Sequence, residues 1–208
     1  IKKLKTIDTP HSLGALYQAI SRHVGFKLIE GPGKLMGLAS YGTRNSAEYI
    51  KLKKLIKLLP DGGFRVDMRY FSYHYSRKSG VSPKFINEFG KGNLTGDNWT
   101  EYELNIATAA QQIVEDVILH IVHNLNRMVK SKNLCMAGGV ALNSVTNGLI
   151  AKSGLYENIF IQPAAGDSGT SLGAALLLEN RIHNEPRKYI QKDTFLGNGY
   201  SDDAYEVA

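Results

Sequence analysis

The chain has 208 residues, 43% of them hydrophobic and 21% charged, a balance that supports a packed core and excludes a disordered chain. Its formal net charge of +6 favours anionic ligands, yet Lys51, Lys53, Lys54 and Lys57 lie along one helix-like stretch without interleaved aromatics, so nucleic acid is not the expected partner. The single cysteine, Cys135, excludes an internal disulfide and a cysteine-based zinc cluster, and no apolar run approaches the roughly 20 residues of a membrane span.

The opening Ile1-Lys2-Lys3 carries neither an initiator methionine nor a signal-peptide core and reads as part of a longer protein. Thr9 and Pro10 predict the start of a helix in which Leu13, Leu16, Tyr17, Ile20 and Val24 recur at helical spacing until Gly25. In EGPGKLMGLASYG, residues 30–42, glycines at 31, 33, 37 and 42 bracket a short apolar helical turn. Ser46 predicts the cap of a lysine-rich helix ending at Pro60 and the turn Asp61-Gly62-Gly63. Residues 64–75 alternate loosely and read as one bent strand or two short ones. Residues 77–98, rich in glycine, proline and polar side chains, predict a surface excursion. Thr100 then caps the longest helix, to about Lys130, with Ile106, Ala110, Ile113, Val114, Val117, Ile121 and Leu125 on one face.

Two units of one design follow. A short apolar strand, residues 134–137, leads through Gly138-Gly139 into a helix, and a second, residues 159–162, leads through PAAGDSG into another. The expected strands are parallel, Cys135 lies in a buried strand, and both glycine loops gather at the carboxyl edge of the sheet, where α/β folds bind ligands. Residues 186–208 read as the start of a linker.

Adjacent glycines at a strand-to-helix junction let a planar base or ribose approach the main chain with no Cβ in the way, and a helix amino terminus offers free N–H groups. Tight helix-on-sheet packing demands the same small residues. Asn143 adds an amide able to hydrogen-bond a base or ribose hydroxyl, against the alternative of a local helix-surface amide. Asp167 either caps the following helix, as Ser168 or Thr170 could, or faces a phosphate site, where its charge requires a cation between them. Lys34, in a glycine-bracketed turn, is either a point charge for phosphate oxygens or a solvated loop lysine, and Leu35 after it does not fit a P-loop. His120 and His123 could share a helix face, but ordinary packing is the simpler account.

The segments HSLGALYQAISRHVGF, GKLMGLASYG, FRVDMRYFSYHY, NLCMAGGVALNSVTNGLI and IFIQPAAGDSGTSLGAALL together resemble the carbamoyltransferase family that includes nodulation protein U and the antibiotic O-carbamoyltransferases. The first domain of that family is similar to the tRNA threonylcarbamoyl-transfer proteins. The resemblance implies an α/β fold of the actin-like, ribonuclease H-like ATPase type, a mixed sheet flanked by helices. Residues 1–185 would form its carboxyl-terminal lobe, with residues 186–208 leading to a further domain. It implies ATP as cofactor, with Gly138, Gly139, Val140 and Asn143 at the adenosine and Lys34 near the phosphates. It also implies a divalent metal on Asp167, with iron, magnesium and zinc equally admissible. The reaction implied makes carbamoyl-adenylate from carbamoyl phosphate and ATP and transfers the carbamoyl group to a hydroxyl acceptor, in the cytoplasm. The family's paired metal-binding histidines and first phosphate-binding segment belong to an amino-terminal lobe absent from this sequence, so the chain alone is expected to be inactive and to bind ATP weakly. A sugar kinase of the same fold or a non-catalytic nucleotide-binding module are the rival readings.

Overall fold

The computed structural model describes residues 2–27, 29–76, 80–188, 190, 191, 193, 194, 197, 199 and 200. Residues 201–208 and five others of the expected linker, with 77–79 of the expected excursion, lie outside the described residues. The architecture is mixed α/β: seven α-helices and two small two-stranded sheets among the described residues.

Helix α1 spans Leu13–His23 and buries Leu13, Leu16, Tyr17 and Ile20, as the spacing predicts. Its cap is Ser12, whose hydroxyl accepts from the Ala15 N–H at 3.2 Å. Thr9 and Pro10 sit instead in a turn closed by the His11 N–H on the Asp8 carbonyl. Helix α2, Gly31–Leu38, runs through three of the glycines expected to bracket it. Beyond it Gly42 is required, because a Cβ there would run into the Leu104 carbonyl and the Thr108 hydroxyl.

Ser46 caps α3, Ala47–Lys53, through the Tyr49 N–H. The lysine-rich helix is shorter than expected: Ile56–Leu58 is a strand, β1, paired antiparallel with β2, Phe64–Val66, around Asp61-Gly62-Gly63. Gly62, at φ 82°, supplies the left-handed residue that the reversal needs. Cross-strand pairing of Ile56 with Val66 and Leu58 with Phe64 outweighs helix propensity in this stretch. Lys57 therefore belongs to a strand and not to a lysine-rich helix face.

The expected surface excursion is partly core. Ser82 caps α4, Pro83–Phe89, and the fully buried Phe85 and Phe89 lie four apart on one face of it. Phe85 stacks on Phe89 with centroids 4.4 Å apart and meets Phe71 at 5.7 Å. A single aromatic stripe of one helical turn is enough to bury this segment, whatever the polarity around it.

Helix α5, Glu101–Met128, is the axis of the molecule. The Glu103 carboxylate accepts from the Thr100 N–H at 2.8 Å and from its hydroxyl at 3.0 Å, fixing the amino terminus. It packs against α1, α2, α3 and a later helix, α6, Ser144–Lys152. Ile106, Ala110, Ile113, Val114 and Val117 enter the main core with Leu16, Ile20, Leu35 and Phe85.

Strands β3, Asn133–Met136, and β4, Asn158–Ile161, are parallel, with Leu134 beside Ile159. Leu134 joins Val122, Ile150 and Tyr156 in a second, smaller cluster under α5 and α6. Strand alternation turns Cys135 to the other face, where it is exposed and not buried as expected. A single turn at Asp167–Gly169 then leads into α7, Thr170–Leu177, and a π-helical turn at Leu178–Ile182. No residue of α7 is buried.

Phe85→Ala should cost about 3–5 kcal/mol in urea unfolding. A loss within ~0.5 kcal/mol, typical of surface positions, would return residues 80–98 to the surface.

Candidate functional site

Both glycine loops emerge at the carboxyl ends of β3 and β4, and they are joined. The Gly138 N–H donates to the Ala165 carbonyl at 2.7 Å, so the loop before α6 and the loop before α7 form one continuous edge. Leu142 reaches the second loop as well: a Cβ on Gly166 would lie 3.6 Å from its Cδ1.

Gly138 has φ 98° and ψ 163°, a conformation essentially closed to side-chain-bearing residues. From Gly139 to Leu142 the chain makes a 3₁₀ turn, closed by the Ala141 N–H on the Gly138 carbonyl. Cβ atoms built on Gly138 and Gly139 meet nothing within 4 Å. Both glycines are exposed, and a flat ligand can reach their main chain directly. Helix packing alone would put a neighbour against at least one of those positions, and none is there. Gly33 and Gly37 of α2 face open space in the same way, and α2 approaches the start of α6 where the Ser144 hydroxyl meets the Met36 sulfur at 3.7 Å.

The other expected site residues take distinct positions. Val140 turns away from the open edge and packs against the main core, close to Gly14. It thereby anchors the loop and lines a groove of about 350 Å³ with His11, Leu13 and Phe64. Asn143 is buried at 8% exposure and caps α6, its carbonyl oxygen accepting from the Thr146 N–H and hydroxyl at 3.0 Å each. Its amide exchanges two hydrogen bonds with Gln111, at 2.9 and 3.1 Å. Asn143 is thus neither a surface amide nor turned to the open edge.

Asp167 is exposed, and its side chain caps nothing: the residue before α7 is Gly169, without a side-chain cap bond, and Thr170 donates to the Asp167 main-chain carbonyl at 2.6 Å. Gly169 is itself obligatory, since a Cβ would strike the Ala164 carbonyl. Capping therefore does not account for the carboxylate. A tightly held divalent cation asks for several ligands, and among the described residues no group of three or more His, Cys, Asp or Glu side chains comes together. His120 is engaged in packing, its Nε2 at 2.9 Å from the Leu59 carbonyl, and His123 is exposed.

Lys34 lies in the first turn of α2 and pairs with Glu30 at 2.9 Å, both side chains being 53% exposed. The hydrogen bond and charge of Lys34 hold the Glu30 carboxyl below its ordinary range. No hydrogen bond or ion pair among the described residues joins Lys34 to either glycine loop. Its solvent-exposed pairing leaves the ammonium able to change partner.

Three residues that sequence reasoning passed over stand behind the loop. Gln111, Glu115 and Arg44 form a chain from the surface to Asn143, with the Arg44 guanidinium on both Glu115 oxygens at 2.6 and 3.5 Å and Gln111 Nε2 on Glu115 at 3.2 Å. The signal was available. Gln111, Gln112 and Glu115 sit in the middle of α5 among alanines and β-branched residues, where a helix packed on several sides must give every polar group a partner.

A family model described as Carbamoyltransferase N-terminus matches residues 2–176. An uncharacterized protein of Synechocystis sp. is 39% identical over 92% of this chain and 31% of its own length. Nodulation protein NolNO of Sinorhizobium fredii is 31% identical over 92% of the chain and 26% of its own length. Nodulation protein NolO of Bradyrhizobium diazoefficiens is 29% identical over 95% of the chain and 34% of its own length. The chain spans about a quarter to a third of the length of these relatives.

Gly138→Ala should lower stability by about 1–3 kcal/mol from backbone strain alone, because its Cβ has free space. Thermal unfolding checks this, and an unchanged midpoint would mean that the loop adopts another conformation in solution.

Proposed function

The chain belongs to the carbamoyltransferase amino-terminal family, and from that premise we propose that it forms the second lobe of an actin-like, ATP-binding domain in a longer O-carbamoyltransferase. The observation that carries this reading is the exposed main chain of Gly138 and Gly139, open to a flat ligand and tied by the Ala165 carbonyl to the loop holding Asp167. The backbone conformation of Gly138 itself calls for glycine, but Gly139 has neither a positive φ nor a neighbour to exclude a side chain, and an approaching ligand or further domain accounts for it.

On this reading Gly138 and Gly139 accept the adenosine face of ATP against their main chain, while Val140 and Asn143 hold the loop from behind instead of touching the nucleotide. Lys34 exchanges Glu30 for phosphate oxygens. Asp167 would contribute one ligand to a divalent ion, with further ligands from outside the described residues. ATP, losing pyrophosphate, would supply the adenylate of a carbamoyl-adenylate made from carbamoyl phosphate with loss of phosphate, and the carbamoyl group would pass from it to the hydroxyl oxygen of a small-molecule acceptor, releasing AMP and the hydroxyl proton. No helix among the described residues is long and apolar enough to cross a membrane.

Two substitutions separate this reading from a purely structural role. Gly139 has neither a positive φ nor a neighbour within 4 Å of its Cβ position, so Gly139→Ala should leave the unfolding midpoint unchanged. In the full-length protein it should nevertheless weaken ATP binding at least about tenfold, or 1.4 kcal/mol, by titration with a fluorescent ATP analogue. Asp167→Asn, at an exposed carboxylate with no ion pair among the described residues, should also unfold normally and, with ATP, carbamoyl phosphate and a divalent cation, should abolish carbamoyl transfer as followed by mass spectrometry. Unchanged affinity in the first and unchanged transfer in the second would overturn the assignment of these loops.

A further inference from the structure

We propose that Gln111 is a positioning residue for the nucleotide loop, acting through Asn143, and that the Arg44–Glu115 pair sets its orientation. The inference rests on the ATP reading above for its functional half, while its structural half stands on the geometry alone.

Gln111 is 3% exposed, and every polar atom of its side chain has a partner whose chemistry fixes which end is which. Its Nε2 donates to Glu115 Oε1 at 3.2 Å and to Asn143 Oδ1 at 3.1 Å. Its Oε1 accepts from the Asn143 Nδ2 at 2.9 Å and from the Tyr17 hydroxyl at 2.9 Å. A carboxylate accepts only, so Glu115 forces the nitrogen end of Gln111 toward itself. The tyrosine O–H then meets the oxygen end. Burial first, and the charge of Glu115 second, push the Tyr17 hydroxyl well above its ordinary range, which keeps it a donor.

The orientation is transmitted further. With Gln111 fixed, Asn143 must present its oxygen to the Gln111 nitrogen and, with the same oxygen, to the Thr146 N–H that starts α6. The Asn143 main-chain N–H closes the turn on the Val140 carbonyl at 3.0 Å, so the side chain that Gln111 holds belongs to the last residue of the glycine turn. Glu115 has a side-chain exposure of 3% and is neutralised from the surface by Arg44, at 58%. A buried carboxylate with one cationic partner at the rim makes the whole chain of contacts dependent on that pair.

A reversed amide or a carboxylate at position 111 breaks this pattern without changing its volume. Gln111→Glu removes both donors. The double variant Gln111→Glu with Glu115→Gln restores a donor facing an acceptor between positions 111 and 115 but leaves Asn143 Oδ1 without its donor at 111, and so separates the two contacts. Tyr17→Phe removes one donor only and serves as the mild variant if Gln111→Glu does not fold.

The experiment uses the full-length protein, with amide hydrogen exchange on residues 138–146, the Kd of a fluorescent ATP analogue, and the unfolding midpoint. Exchange in 138–146 should rise at least about tenfold in Gln111→Glu, less in Tyr17→Phe, and stay raised in the double variant, with α1 and α3 unaffected. The Kd should follow the same order. An exchange increase spread evenly over all helices, or full recovery in the double variant, would mean that Gln111 does not act through Asn143 and would overturn the proposal. Faster loop exchange with an unchanged Kd would overturn the functional half. Absence of nucleotide binding by the wild type would instead remove the ATP reading, and exchange in 138–146 would still decide whether Gln111 positions the loop.

Discussion

The reciprocal amide pair between Gln111 and Asn143 is the buried polar tie between the two parts of this chain, beside the apolar contact of Val140 with the main core. On one side lies the main core, where α1 to α4 collect around the first half of α5. On the other lies the pair β3 and β4 with α6, collected around its second half. The polar chain from Arg44 through Glu115 and Gln111 to Asn143 crosses between them at the level of the glycine turn. A half-satisfied polar group in that position would cost more than an apolar residue of the same size. The helix can therefore carry Gln111, Gln112 and Glu115 in its buried middle only because Asn143, Asn45 and Arg44 arrive with the matching donors and acceptors.

What the sequence made legible follows from the strength of local signals. Helix α5 was plain, because its apolar face is sustained over seven turns and its capping box is written in Thr100 and Glu103. The two strand, loop and helix units were plain because apolar runs broken by glycines have few other meanings, and each strand begins one residue earlier than expected. Helix α4 and strand β1 were hidden for a common reason. Each is too short for periodicity to speak, and each exists through one tertiary event: the burial of Phe85 and Phe89, and the pairing of Ile56 with Val66. Ser12 displaced Thr9 as cap because the first turn is decided by which hydroxyl reaches the third N–H beyond it, a matter of one turn of chain that composition does not resolve.

In the two glycine loops, sequence reading gave the parallel strands and their common edge but not the inward turn of Asn143. Double glycine and Asp167 emerge at one edge, as two parallel units require. Asn143 was taken for a residue that reaches out, yet an asparagine at a helix start is the natural cap, and a cap closes inward. Asp167 is the reverse case. Capping was the simple expectation, and the backbone enters α7 through a 3₁₀ turn that leaves its carboxylate outside the cap.

The distribution of apolar burial gives these loops unequal support. The main core holds twenty-six buried hydrophobic residues, and the second cluster four. Helix α7 buries none, although it reads Thr-Ser-Leu-Gly-Ala-Ala-Leu-Leu, with Leu177 56% exposed and Phe160 of β4 50% exposed. Local opening free energies follow buried contact density, so the loop carrying Asp167 should be the less firmly held of the two. Its tie to the better-supported side is the Gly138 N–H on the Ala165 carbonyl. Any contact that covers α7 and Phe160 would therefore strengthen the edge at its weaker loop, and through that one hydrogen bond would bear on the geometry of Gly138 itself.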